Sequence, residues 1–251
     1  MKQTILFLFV FLYNFCFAQT DTSILYYAKD GHETTKDSTY NFIKFYKQNN
    51  VWHGKDYYLY NGVLKSEGDY ADKSAKTPLG NFNNYNEKGE LDYSASYNNG
   101  KSTEATYYYK NGAKKSWITR DEKGVSQQKG WDEAGKEIKN FIVTREAQFK
   151  GGLIGWRKYL EKNLDANVAS DAGAPPGEYQ VIVSFKVSPE GNTSHVKATL
   201  VPAKCKVCAN EAVRVIINSR EWEPAIWQNQ PVEYEAQQSI TFAVIDEKKK
   251  N

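Results

Sequence analysis

The chain has 251 residues, with 33 Lys and Arg against 30 Asp and Glu and a formal net charge of +3. That near balance, with the two signs interspersed, excludes the concentrated basic face of a nucleic-acid binder, and the length suits one or two domains. Eighteen tyrosines and a single methionine favour exposed sheet with aromatic ladders over a helical bundle.

The first 18 residues read as a secretory signal. Lys2 supplies the charged start, residues 5–13 are apolar, and Cys16-Phe17-Ala18 puts a small residue before a cut at Gln19. The apolar run is shorter than the roughly 20 residues of a spanning helix, so the mature chain is expected to be exported, without a membrane span. Tyr13-Asn14-Phe15 lacks the small residues that a lipid-attachment signal places before its cysteine.

Residues 19–140 carry an irregular repeat. Copies read Gly54-Lys55-Asp56-Tyr57-Tyr58-Leu59-Tyr60-Asn61-Gly62, then Gly80-Asn81-Phe82-Asn83-Asn84-Tyr85-Asn86-Glu87-Lys88-Gly89, then Thr106-Tyr107-Tyr108-Tyr109-Lys110-Asn111-Gly112. A weaker copy ends Gly130-Trp131-Asp132-Glu133-Ala134-Gly135, and Tyr26-Tyr27-Ala28-Lys29-Asp30-Gly31 reads as a degenerate cap. The turn glycines Gly62, Gly89, Gly112 and Gly135 fall at intervals of 27, 23 and 23 residues. One hairpin per period, turned by an Asn-Gly or Lys-Gly pair, predicts a stacked all-β array. A lone hairpin is marginal, so the copies must pack on one another. The tyrosines suit cross-strand ladders, with a sugar- or peptide-binding face as the other use of such residues.

The pattern changes between residues 140 and 150. Leu153, Trp156, Tyr159, Leu160 and Leu164 recur at offsets of three and four, which predicts a helix. Residues 171–177 read as a loop. Val181, Val183, Phe185 and Val187 alternate with Gln180, Ile182, Ser184 and Lys186, which predicts a strand with a strongly apolar face. Pro189-Glu190-Gly191-Asn192 turns the chain into a second strand over residues 193–201. A helix follows over residues 209–219, with Ala212, Val213, Ile216 and Ile217 on one side, and a last strand over residues 239–245. The tail 247–251 ends in Lys248-Lys249-Lys250, a solvated charge run.

Few residues point to chemistry. Cys205-Lys206-Val207-Cys208 precedes a helix, in an exported chain where disulfides persist. A local structural disulfide is the favoured reading, and a redox pair or a partial metal site the alternatives. His32, His53 and His195 are scattered and form no ligand spacing, so no metal site is expected. No nucleophile elbow, phosphate loop or dinucleotide fingerprint occurs. Neither a cofactor nor catalytic residues are assigned, and the chain is read as a non-enzyme.

Two resemblances follow from these runs. The hairpin copies resemble the MORN-like repeats of the YwqK antitoxin-like family. The order helix, hairpin, helix, strand over residues 147–246, with Glu211-Ala212-Val213-Arg214, Trp222-Glu223-Pro224-Ala225 and Pro231-Val232, resembles the C-terminal domain of TonB, the energy transducer of double-membrane bacteria. That likeness implies an α+β domain with two helices on a three-stranded antiparallel sheet, and a periplasmic location. It also implies that the last strand meets a peptide of an outer-membrane receptor. The residues it puts forward are Ser239, Ile240, Thr241, Phe242, Ala243 and Val244, with Trp227 as an open aromatic. Trp222 is expected to anchor the core instead. Another envelope protein held by the repeats, or a second copy of the chain, is the alternative partner. The chain shows no Pro-rich spacer, so the likeness bears on fold and partner binding more than on direct use of the proton gradient.

Overall fold

The computed structural model describes residues 22–245. The signal segment 1–18, the cut at Gln19 and the basic tail 247–251 lie outside the described residues. The chain divides between Gly112 and Ala113 into two compact units, and it is mostly β.

The first unit is an antiparallel meander of seven strands: β1 (Thr22–Tyr27), β2 (Asn41–Gln48), β3 (Val51–Tyr58), β4 (Leu64–Tyr70), β5 (Pro78–Tyr85), β6 (Leu91–Asn98) and β7 (Lys101–Tyr108). Each strand pairs with the next. Two kinds of tight turn recur, beside longer connections at residues 28–40 and 71–77. Asn49-Asn50 and Asn99-Gly100 have positive φ at both residues, the signature of two-residue hairpin turns. The glycine turns are longer and are organised by a side chain as well as by the glycine. Asn86 Oδ1 accepts from the N–H groups of Lys88 and Glu90, while Gly89 donates to the Asn86 carbonyl. The period was legible from the glycines, whereas the role of Asn86 in the turn at Gly89 was not.

One face of this meander holds Ile43, Phe45, Trp52, Tyr70 and Phe82 as its buried core. Phe45, Tyr70, Phe82 and Tyr97 meet edge to face in series at 5.4, 5.1 and 5.2 Å between ring centres. Each such contact adds about 1 kcal/mol beyond burial, enough to matter where single hairpins are marginal. The ladder needs room. A Cβ on Gly54 would lie 2.5 Å from Tyr70, and one on Gly68 would lie 2.5 Å from the Phe82 ring. These mid-strand glycines therefore let the rings of the next strand lie flat on the backbone.

The second unit opens with β8 (Lys114–Asp121), β9 (Gly124–Trp131) and β10 (Glu137–Ile138), again an antiparallel meander. These strands are tied to the rest of the unit. Gln128 Oε1 accepts from the N–H groups of Val143 and Thr144, Ser116 Oγ donates to Gln228 Oε1, and the Phe141 ring lies on Gly130. The compact division thus falls ahead of the change in sequence pattern near residue 140.

Next come β11 (Thr144–Arg145), β12 (Gln148–Phe149), α1 (Gly152–Asn163), α2 (Val168–Asp171), β13 (Gly177–Val187), β14 (Thr193–Leu200) and α3 (Lys206–Ile217). The chain ends in β15 (Trp222–Glu223), β16 (Ala225–Trp227), β17 (Gln230–Val232) and β18 (Tyr234–Val244). Three antiparallel sheets result, ordered β14-β13-β18, β11-β16-β17 and β12-β15. Val181, Val183, Phe185 and Val187 are all buried, with Ile240 and Phe242 beside them on the face that meets Trp156, Ala212, Val215 and Ile216. Trp222 is buried at the centre, its ring 4.9 Å from Phe185, 5.5 Å from Phe149 and 5.6 Å from Trp156. Its Nε1–H donates to Ser219 Oγ, which itself donates to the Ile216 carbonyl at the end of α3.

Four expectations change. Leu153 is not in the core but 72% exposed, at the rim of an open groove beside Trp156. Ile217 is exposed and Val215 is buried instead, on the stripe of Cys208, Ala212 and Val215 that α3 turns to the core, and α3 begins at Lys206, three residues early. The last strand begins at Tyr234, so residues 239–244 are its second half, and Ile245 lies beyond its end. The short helix α2 and the short strands around Trp222 add to the expected two helices and three strands. Two- and three-residue strands are too short to show alternation.

Candidate functional site

The two edges of the β14-β13-β18 sheet differ in kind. β14 carries two bulges against β13, at each of which it has one residue more than its partner, and His195 lies there with φ 53°. Bulges and charged residues such as Lys197 blunt an edge against further pairing. β18 has no bulge, and Glu235 is its one charged residue. All eleven of its residues pair in unbroken register with β13, from Val244 opposite Gly177 to Tyr234 opposite Val187. It contains no Pro, Lys or Arg, and among the described residues no strand pairs with its other side. Alternate N–H and C=O groups of such a strand point away from its partner and can take another strand.

The proposed contact residues divide by face. Ile240 and Phe242 are buried in the core and Val244 is half-buried, whereas Ser239, Thr241 and Ala243 are exposed. The buried set holds the strand in place, so a partner would meet its backbone edge and the exposed set. Trp227 is 42% exposed but belongs to β16, paired with Thr144 of β11 and Gln230 of β17. It does not share a sheet with Ser239–Val244 residues, which the sequence had grouped with it.

On the core side of β18 the sheet opens into a groove of about 220 Å³ beside Gln238. Phe149, Leu153, Trp156 and Trp222 line it. The exposed Leu153 forms part of its wall, beside Trp156, with which it shares a helical face.

Cys205 and Cys208 form a disulfide, with Cα atoms 5.4 Å apart. Both lie buried in the core at the start of α3. A partner thiol reaches these sulfurs only if that helical turn opens. Among the described residues no group of three or more His, Cys, Asp or Glu is arranged to hold a metal ion.

The first unit holds a polar cluster that the sequence reading missed. Asp56 is buried on the apolar face of β3. It accepts from Asn41 Nδ2 at 2.7 Å and faces Lys65 Nζ at 3.2 Å. Burial raises its pKa, opposed by the Lys65 charge and by hydrogen bonds from Asn41, Lys65 and the Tyr57 backbone. The Tyr27 hydroxyl is pushed up by burial and then by Glu33 and Asp56. A signal existed: Trp52, Gly54 and Asp56 share one parity in β3, which puts a carboxylate on the face of the core.

No protein-family model matches the chain, and no curated protein matches it either. Among the described residues no helix is long and apolar enough to cross a membrane.

Proposed function

We propose that this chain is a periplasmic, TonB-like interaction protein rather than an enzyme, and that it binds an extended peptide of an outer-membrane receptor by strand addition to β18. The observation that carries this reading is the contrast between the two edges: β14 is bulged twice, whereas β18 is regular over eleven residues. The order of helices and strands around Trp222 supports the likeness to the TonB C-terminal domain.

Magnitudes say where selectivity would come from. Backbone hydrogen bonds contribute about 1 kcal/mol net each, so a six-residue segment gains about 5 kcal/mol. Association itself costs about 4 kcal/mol or more. The backbone therefore gives little affinity alone. One apolar side chain in the groove of Phe149, Trp156 and Trp222 adds about 2 kcal/mol and selects the peptide.

The test is titration of labelled receptor peptides against the full mature chain and its Thr241→Pro variant. Proline there removes an edge N–H and distorts the ladder. Binding should weaken while circular dichroism stays native. Unchanged affinity in a folded variant sinks the edge reading and turns attention to the tyrosine-rich repeats. Concentration-dependent dimerisation that Thr241→Pro abolishes, with no peptide binding, would make a second copy the occupant.

A further inference from the structure

Around Asp56 the first unit encloses an open cavity of about 250 Å³, lined by Tyr27, Asn41, Ile43, Asp56, Lys65 and Ala75 among others. Its polar and apolar walls are distinct. Asn41 and Asp56 are buried, joined by the 2.7 Å hydrogen bond, and Lys65 closes the other carboxylate oxygen at 3.2 Å. Ile43 and Ala75 supply apolar surface, and the Tyr27 ring adds an aromatic one. The Lys65 ammonium also lies over the Tyr58 ring at 6.0 Å, which holds its stem in place.

The charges decide which ligand fits. Asp56 and Lys65 neutralise each other. An anion would compete with Asp56 for Lys65, and a cation would compete with Lys65 for a buried carboxylate, leaving one charge of the pair unmatched. A neutral molecule with a donor and an acceptor on adjoining atoms meets both groups at once. One hydroxyl of a vicinal diol can donate to the Asp56 carboxylate, which offers about four acceptor sites. The next can accept from Lys65, whose ammonium has three donors. The carbon face of the same molecule then lies against Ile43, Ala75 and Tyr27. A few polar groups converging beside apolar surface are what fixes a small ligand's orientation.

We infer that this cavity binds a single sugar ring through a vicinal diol, held between Asp56 and Lys65. The site is independent of the β18 edge. The experiment is saturation-transfer NMR and calorimetry on the full mature chain with methyl glucoside, methyl galactoside and N-acetylglucosamine as probes. Glycine, acetate and methylammonium serve as charged controls. At least one sugar should bind saturably, and Lys65→Gln should weaken it about tenfold, the loss of one charge-assisted hydrogen bond. Loss of Lys65 leaves the buried Asp56 carboxylate without its cation, so circular dichroism checks that Lys65→Gln is folded, and Lys65→Arg, which keeps the charge, is the second variant and should retain sugar binding. Absence of saturable binding by all three sugars overturns the proposal. So does sugar binding of equal strength in folded Lys65→Gln, or tighter binding of a charged control than of any sugar.

Discussion

Arg214 grips both carboxylate oxygens of Glu211, Nε to Oε2 at 2.6 Å and Nη2 to Oε1 at 2.7 Å. The same Nη2 donates to the carbonyl of Asn163, the last residue of α1, at 2.6 Å. Glu211 Oε1 in turn accepts from the Asp165 N–H at 2.7 Å. One pair on α3 thus satisfies backbone groups on both sides of the α1 terminus, where helical carbonyls lack partners. A cation there also matches the negative end of the helix dipole. The Glu-Ala-x-Arg run singled out in the sequence is, in the structure, a cap for a neighbouring helix.

This pair makes stability depend on acid. The Arg214 hydrogen bonds hold the Glu211 carboxyl below its ordinary pKa, against burial, which raises it, and with help from the Asp165 N–H. A depressed folded-state pKa gives stability that is complete above the unfolded value, about 4.3, and that is lost as pH falls through the folded value. Glu211→Gln should therefore unfold more easily at neutral pH, by about 1–2 kcal/mol given that Arg214 is half-exposed. The gap to wild type should narrow below pH 4 or so. Urea midpoints measured across pH check this, and a gap that is the same at all pH values refutes it.

The repeat ladder gives a packing prediction. Gly68→Ala puts a methyl 2.5 Å from the Phe82 ring, and overpacking of this kind costs about 1–3 kcal/mol. Because the two positions share one contact, Phe82→Leu in the same chain should recover part of that loss. The measurement is a double-mutant cycle by chemical unfolding, and strict additivity of the two changes would show that the ring does not rest on Gly68.

What could be read from the sequence follows side-chain size and run length. Val181, Val183, Phe185 and Val187 alternate over a long strand, and each buries a large side chain, so the pattern and the structure agree. Trp156 is buried and Leu160 and Leu164 are half-buried against the same core, at the helical spacing expected. Turn glycines were legible because positive φ leaves few other choices at Gly89 and Gly112. The strand glycines Gly54 and Gly68 were not, because their reason is a ring carried by the next strand. The contrast between β14 and β18 was hidden too: bulges come from register, and nothing in Thr193–Leu200 alone announces them. Asp56 was passed over although its parity with Trp52 and Gly54 was legible, because its partners Asn41 and Lys65 come from the neighbouring strands.

The disulfide gives a third prediction. It closes a loop of four residues, so double serine replacement at Cys205 and Cys208 should cost about 2 kcal/mol. Peptide binding should be retained, since neither sulfur lies on β18. Thermal unfolding with and without reductant, alongside the peptide titration, measures both. A thiol–disulfide exchange activity present in wild type and absent in the variant would reverse the structural reading of this pair.

The last prediction asks which edge a peptide occupies. Ser239 on β18 and Thr199 on β14 are both exposed. Opposed residues on paired strands bring their Cβ atoms within about 4.5–5.5 Å, close enough for a disulfide. Ser239→Cys and Thr199→Cys chains are each mixed with receptor peptides carrying one cysteine at successive positions. A peptide added to β18 should crosslink to Ser239→Cys most strongly at one position, and again two residues away, because strand side chains alternate between faces. Thr199→Cys should show no such pattern, because a bulge at this position breaks the β14 ladder. Crosslinking concentrated at Thr199→Cys, or spread evenly over peptide positions on both edges, would mean that the regular edge of β18 is not the docking surface.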